Sequence, residues 1–103
     1  MNRITVVSED DAIGAQARTY AEYRVFAVLA RDTLNVRRAR VVLRQVDARE
    51  ACDKVACAVT VTLEPAGMLR IRATGPHVYA AINRAVERLG RAFGRRVERR
   101  LSS

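Results

Sequence analysis

Alternation of apolar and polar residues along the chain predicts four β-strands. The clearest case runs from Val55 to Leu63, where every second residue is apolar and alanine or threonine lies between. Arg38 to Val46 and Met68 to Ala73 alternate in the same way, with arginine at most of the outward positions. A shorter strand is predicted from Arg3 to Val7. Each strand would turn its apolar side toward a common core.

Two longer segments are predicted to be α-helices, the first from an imperfect helical pattern and the second from a regular one. The first is predicted to begin at Ser8, with Ser8 as N-cap and Asp11 near the capping-box position, and to run to about Ala30. The last helix is predicted to follow Thr74, with Pro76 at its first position. Its apolar residues recur on one side of a helical wheel. They are Ile82, Val86, Leu89 and Phe93.

The resulting order, β-α-β-β-β-α, predicts an α+β fold in which two helices pack on one face of a four-stranded sheet. The chain of 103 residues is short enough to form one domain, residues 1–103. The residues expected in the core are Val41, Leu43, Cys57, Val59, Val61, Leu69, Ile71, Ile82, Val86, Leu89 and Phe93. The other face of the sheet would meet solvent, carrying Arg40, Arg44, Arg70 and Arg72.

Charge is concentrated in two parts of this basic chain, whose formal net charge is +8. Residues 31–44 carry five arginines against one aspartate, and residues 84–103 carry seven arginines against two glutamates. Five arginines of the last helix fall within about 80° of one another on the wheel, opposite its apolar side. We call these the arginine stripe: Arg84, Arg88, Arg91, Arg95 and Arg99.

A row of guanidinium groups spaced by helical turns is suited to the phosphates of a nucleic acid. We therefore predict that the stripe binds RNA, together with the outward arginines Arg40, Arg44, Arg70 and Arg72. The alternative is that the arginines form an ordinary solvated surface. Spacing alone indicates a polyanion and does not identify which one.

Sequence motifs for catalysis or metal binding are not found. His77 is the one histidine, and Cys52, Cys57 and His77 would supply at most three zinc ligands at a spacing unlike the usual zinc motifs. Cys57 is expected to be a core thiol and Cys52 a loop thiol, unbridged. We therefore expect no enzyme activity, cofactor, metal or small-molecule substrate. Neither a membrane-spanning segment nor a signal peptide is predicted, so we expect a cytoplasmic protein.

The segment from Val78 to Leu89 resembles the second helix of the ribosome hibernation-promoting factors, also called ribosome-associated inhibitors. These proteins typically carry Tyr-Ala-Ala-Ile-Asp followed by a basic amphipathic helix, and this chain has Tyr79-Ala80-Ala81-Ile82-Asn83. The resemblance covers roughly residues 3–100. Two departures stand out: Asn83 replaces the usual aspartate, and Val25, Ala27 and Val28 occupy a place that is usually rich in lysine.

The resemblance implies the same β-α-β-β-β-α fold and binding in the mRNA and tRNA channel of the small ribosomal subunit. It implies that Arg84, Arg88, Arg91 and Arg95 contact ribosomal RNA phosphates, so that the protein inhibits translation under stress by occupying the channel. The chain would be the short, single-domain form, of undetermined oligomeric state. Two alternatives remain: a protein-interaction module that binds an acidic partner through its outer sheet face or a free edge strand, and a general nucleic-acid-binding protein.

Overall fold

The alternating segments form one mixed sheet in the computed structural model, which describes residues 3–46, 53–64 and 67–102, without the side chains of 32–34 and 100–102. Its strands are β1 (Ile4–Ser8), β2 (Val36–Gln45), β3 (Val55–Leu63) and β4 (Met68–Gly75), adjacent in that order. β1 is parallel to β2, and the other neighbours are antiparallel. β1 and β4 are thus the edge strands.

Both helices lie on one face of this sheet. Helix α1 (Ala15–Leu29) continues into a 3-10 helix (Ala30–Asn35) and packs against β1 and β2, whereas helix α2 (Val78–Ser102) packs against β3 and β4. The α+β class and the element order expected from the sequence are confirmed. Among the described residues, no helix is both long and apolar enough to cross a membrane.

The start of α1 differs from the sequence prediction. Ser8 is the last residue of β1 rather than an N-cap, and the Glu9 amide extends the strand by donating to the Leu43 carbonyl, 3.0 Å away. The Asp10 carboxylate accepts a hydrogen bond from the Ala12 amide at 2.8 Å. This local turn competes with helix formation, so α1 begins only after Gly14.

The junction between β4 and α2 also departs from the prediction. β4 continues to Gly75, so Pro76 is not the first helical residue. His77 forms the N-cap instead: its Nδ1 accepts a hydrogen bond from the Ala80 amide at 3.2 Å, and its carbonyl accepts one from Ala81. A Cβ at Gly75 would lie 2.7 Å from the Ala81 nitrogen, so only glycine allows this close approach.

The core forms where the predicted inward residues meet. Nine of the eleven are buried, but Leu69 and Ile71 are only partly buried, which corrects the prediction for β4. β4 is an edge strand, so its inward side chains have a neighbouring strand on one side only. A β-bulge near Arg37 shifts the alternation of β2, which makes Val36 a core residue that the sequence pattern missed.

Cys57 is a free, buried thiol on β3, as expected, and burial raises its pKa to about 12. Cys52 lies outside the described residues. Gly90 and Gly94, one turn apart on α2, are not points of close approach between the two helices. A Cβ at Gly90 would meet nothing within 4 Å, and one at Gly94 would meet the guanidinium of Arg31 at 3.5 Å.

Candidate nucleic-acid interface

The arginine stripe exists as a surface of α2. All five of its arginines are exposed, while Ile82, Leu89 and Phe93 on the opposite side of the helix are buried. The helix remains regular through Ser102, so the stripe extends along most of its length. The exposed arginine surface that the amphipathic pattern predicted is therefore present on α2.

Two stripe arginines are held against the neighbouring edge strand. Arg84 donates a hydrogen bond to the Thr74 carbonyl at 2.8 Å, and Arg88 donates one to the Arg72 carbonyl at 2.7 Å. Even-numbered residues of β4 direct their backbone groups away from β3, so these carbonyls lie on the open edge of the sheet. The two contacts orient the guanidinium groups and cover part of an unpaired edge.

Asp53 adds a carboxylate at this end of the stripe. Its Oδ1 lies 3.5 Å from Nη1 of Arg84, and its Oδ2 accepts a hydrogen bond from the Thr74 hydroxyl at 2.8 Å. Arg84 thus has an anionic neighbour within the protein, whereas no carboxylate of the described residues pairs with Arg91, Arg95 or Arg99.

The outer face of the sheet carries a second set of arginines. Arg40, Arg44, Arg70 and Arg72 are all exposed there, as predicted, and Arg38 joins them on β2. Register places Arg40 beside Thr60 and Thr60 beside Arg70, while Arg72 lies beside Ala58. Two basic rows on β2 and β4 therefore flank the small side chains of β3.

A polar cluster that the sequence analysis missed joins the two helices. Asn83 Oδ1 accepts hydrogen bonds from the Tyr20 hydroxyl at 2.6 Å and from Arg24 at 3.1 Å. Arg24 also donates to the Tyr20 hydroxyl at 2.9 Å, and Tyr79 makes an edge-to-face contact with the Tyr20 ring, 5.2 Å between centroids. In the sequence, the i, i+4 spacing of Tyr20 and Arg24 was the signal that could have indicated part of this cluster. The cluster makes Arg24 a helix-joining residue.

Among the described residues, groups suited to catalysis do not converge in the groove between the two helices. A groove of about 570 Å³ opens where the two helices begin, and its described lining includes Lys54 and His77 but no carboxylate. The Nδ1 atom of His77 is engaged in the helix cap. No group of three or more possible metal ligands occurs within the described ranges.

A family model matches the chain, and 23 chains of solved structures resemble it. Residues 4–101 match the family model described as sigma 54 modulation protein / S30EA ribosomal protein. The N-terminal domain of Protein Y from Thermus thermophilus superimposes with a TM-score of 0.71 at 26% identity, over 92% of this chain and 98% of that one.

A ribosomal subunit interface protein from Coxiella burnetii superimposes with a TM-score of 0.75, over 92% of this chain and 97% of that one. At 12% identity, this second likeness shows the fold alone. No curated protein sequence matches the chain.

Proposed function

The chain belongs to the sigma 54 modulation protein / S30EA ribosomal protein family, and we propose that it is a non-catalytic translation regulator that binds ribosomal RNA of the small subunit. Family membership supports association with the ribosome. Residues 1–103 would act as one cytoplasmic domain without a cofactor, and inhibition would come from occupying the mRNA and tRNA channel.

The observation that carries the proposal is the stripe. Arg91, Arg95 and Arg99 are exposed and have no carboxylate partner among the described residues, and Arg84 and Arg88 are oriented from the strand edge. A rigid helix that presents guanidinium groups at successive turns can contact several phosphates without losing much side-chain freedom at the oriented positions. Binding of this kind needs no reactive group, only charge and shape.

The shape of the domain is also suitable for filling a channel. Its extents are 46 × 27 × 19 Å, so it is elongated along one axis. In this proposal the folded domain excludes mRNA or tRNA sterically, while the arginines neutralise phosphates on the channel wall.

The test is co-sedimentation with purified small subunits over a salt series. The stripe variant is Arg91→Gln/Arg95→Gln, because neither guanidinium forms a hydrogen bond or ion pair with the described residues and their loss should leave the fold intact. The matched control is Arg18→Gln/Arg37→Gln, which removes the same charge elsewhere: Arg18 donates to the Ile13 carbonyl and Arg37 pairs with Glu64.

We expect the stripe variant to bind more weakly. The slope of log binding constant against log salt concentration (the salt slope) should flatten by up to roughly one unit per lost phosphate contact, with a smaller change in the control. Equal binding of wild type and stripe variant, at an unchanged slope, would contradict the role of the stripe. Protection of mRNA-channel nucleotides in a chemical footprint would separate channel occupancy from binding elsewhere on the subunit.

A further inference from the structure

The outer face of the sheet has the form of a shallow basic trough. Its walls are the outward arginines of β2 and β4, and its floor is the outward side of β3; we call this surface the trough. The wall residues are Arg38, Arg40 and Arg44 on β2, with Val42 between the last two, and Arg70 and Arg72 on β4; the floor residues are Ala58, Thr60 and Thr62, while Ala56 beyond them is buried. The small floor side chains leave the space between the walls open.

The dimensions of the trough follow from strand geometry. Alternate residues of one strand are about 6.8 Å apart, and β2 and β4 are two strand spacings apart, roughly 9.6 Å. Arg70 and Arg72, like Arg38 and Arg40, therefore repeat along the wall at a distance close to that between successive phosphates of an extended strand. Guanidinium groups at this spacing can follow one sugar-phosphate strand that lies along the trough.

Charge in the trough is uncompensated within the described residues. No outward position of the four strands is acidic, and no described carboxylate pairs with Arg38, Arg40, Arg44, Arg70 or Arg72. Asp53, near the end of β4, is engaged with Thr74 and Arg84. A cluster of like charges is unfavourable in the free protein, and an anionic ligand would relieve that repulsion.

The trough also lacks the features of a protein-binding surface. Protein interfaces depend on apolar and aromatic anchors at their centre. The larger apolar residues of this face are Val7 and Val42, which are only partly exposed, and Met68, which is 45% exposed and lies at a corner; none of the described outward residues of the sheet is aromatic. Without aromatic platforms for the bases, the main contacts would be between arginines and backbone phosphates, which carry no sequence information.

We infer that the trough is a second RNA site, which binds the backbone of a single strand, distinct from the stripe on α2. The two surfaces lie on either side of the β4 edge, where Arg88 of the stripe contacts the backbone of Arg72. A chain with both sites can hold two RNA segments at once. This inference rests on the proposed RNA-binding function, but it assigns a different surface and a different form of RNA.

The experiment measures binding of a fluorescein-labelled oligouridylate of about 12 nucleotides, a length within the usual range of single-strand sites. The trough variant is Arg40→Gln/Arg70→Gln/Arg72→Gln. The charge-matched control extends the stripe variant by one residue, to Arg91→Gln/Arg95→Gln/Arg99→Gln. A third variant places lysine at the three trough positions. Circular dichroism and urea unfolding check that each variant folds; we expect no loss of stability from the trough substitutions.

We expect the trough variant to lose about tenfold or more in affinity for the oligonucleotide, and its salt slope to fall by up to roughly 0.7 for each lost contact. The stripe variant should lose less, and the lysine variant should retain part of the binding because lysine keeps the charge that neutralises phosphate but lacks the bidentate fork of arginine. In co-sedimentation with small subunits, the triple stripe variant should bind more weakly than the trough variant.

Three results would overturn the inference. Equal loss in both triple variants would mean that only total charge matters, and preferential trough-dependent binding of an RNA hairpin duplex would exclude a single-strand site. Displacement of the oligonucleotide by polyglutamate as effectively as by unlabelled RNA would favour an acidic protein partner. Failure of the wild-type protein to bind small subunits would instead contradict the proposed function, because the oligonucleotide measurement does not depend on ribosomes.

Discussion

The guanidinium of Arg88 donates a hydrogen bond to the backbone carbonyl of Arg72 across 2.7 Å. The contact joins a residue of α2 to an edge strand, and Arg84 repeats it at Thr74. Edge strands expose unpaired backbone groups that can pair with other chains. Arg84 and Arg88 thus have a structural role besides any contact with RNA.

The first prediction separates these two roles. Arg84→Gln/Arg88→Gln should lower the free energy of unfolding by about 1 kcal/mol, since each lost exposed hydrogen bond contributes about 0.5 kcal/mol. Arg91→Gln/Arg95→Gln should change it by less than about 0.5 kcal/mol, as for most surface substitutions. Urea unfolding measures both, and equal values for the two pairs would mean that the β4 contacts add no stability.

The second prediction concerns the carboxylate beside Arg84. Asp53→Asn should tighten RNA binding by about 1.5- to fivefold, because removing an exposed ion pair worth about 0.2–1 kcal/mol frees the guanidinium for phosphate. An asparagine oxygen can still accept from the Thr74 hydroxyl. Fluorescence anisotropy at low salt measures the affinity, with Glu22→Gln on α1 as the charge-matched control. Weaker binding than wild type would show that Asp53 positions Arg84 productively.

The third prediction uses the departure at Asn83. Its side-chain oxygen accepts from both Tyr20 and Arg24. Asn83→Asp should raise the free energy of unfolding by about 0.5–1 kcal/mol, because hydrogen bonds to a charged group are stronger than neutral ones. Asn83→Ala should lower it by about 1 kcal/mol. Urea titrations at low and high salt check this, and a destabilising aspartate would mean that desolvation outweighs the gain.

The fourth prediction compares two glycines. Gly75→Ala should destabilise the fold by about 2 kcal/mol or more, because its Cβ would lie 2.7 Å from the Ala81 nitrogen. Gly90→Ala should stabilise it by about 0.5–1 kcal/mol, because that helical position has open space and alanine is the better helix former. Thermal unfolding reports both signs. Tolerance of alanine at Gly75 would show that α2 can shift away from β4.

The fifth prediction follows from burial of Cys57. Its pKa is about 12 in the folded protein against 9.0 for an unperturbed thiol, so above pH 9 the unfolded chain releases its proton first. The stabilisation is complete below pH 9 and is lost as pH rises toward 12. In a Cys52→Ser background, the free energy of unfolding should fall over this range more steeply than in Cys57→Ala. Parallel pH profiles would contradict the burial of the thiol.

Local patterns in the sequence determined the elements and much of the candidate surface. Alternation over 55–63 matched the bounds of β3 and its burial from Cys57 to Leu63, because a strand with one buried face must alternate; Ala56, expected to face outward, is buried. The stripe was evident because a helix that packs one side against a sheet exposes the opposite side. Charge and helical period both depend on residues that lie close together along the chain, so both can be predicted from the sequence alone.

Only the tertiary structure decided the strand order, which left Leu69 and Ile71 on a partly uncovered edge. It also decided that Arg84 and Arg88 rest on β4, that Asn83 joins Tyr20 and Arg24, and that Asp10 delays the start of α1. The Tyr20–Asn83 bond spans 63 residues, and the Arg88–Arg72 bond crosses between elements. Such contacts depend on where elements pack, and packing is a property of the whole chain that no local period encodes.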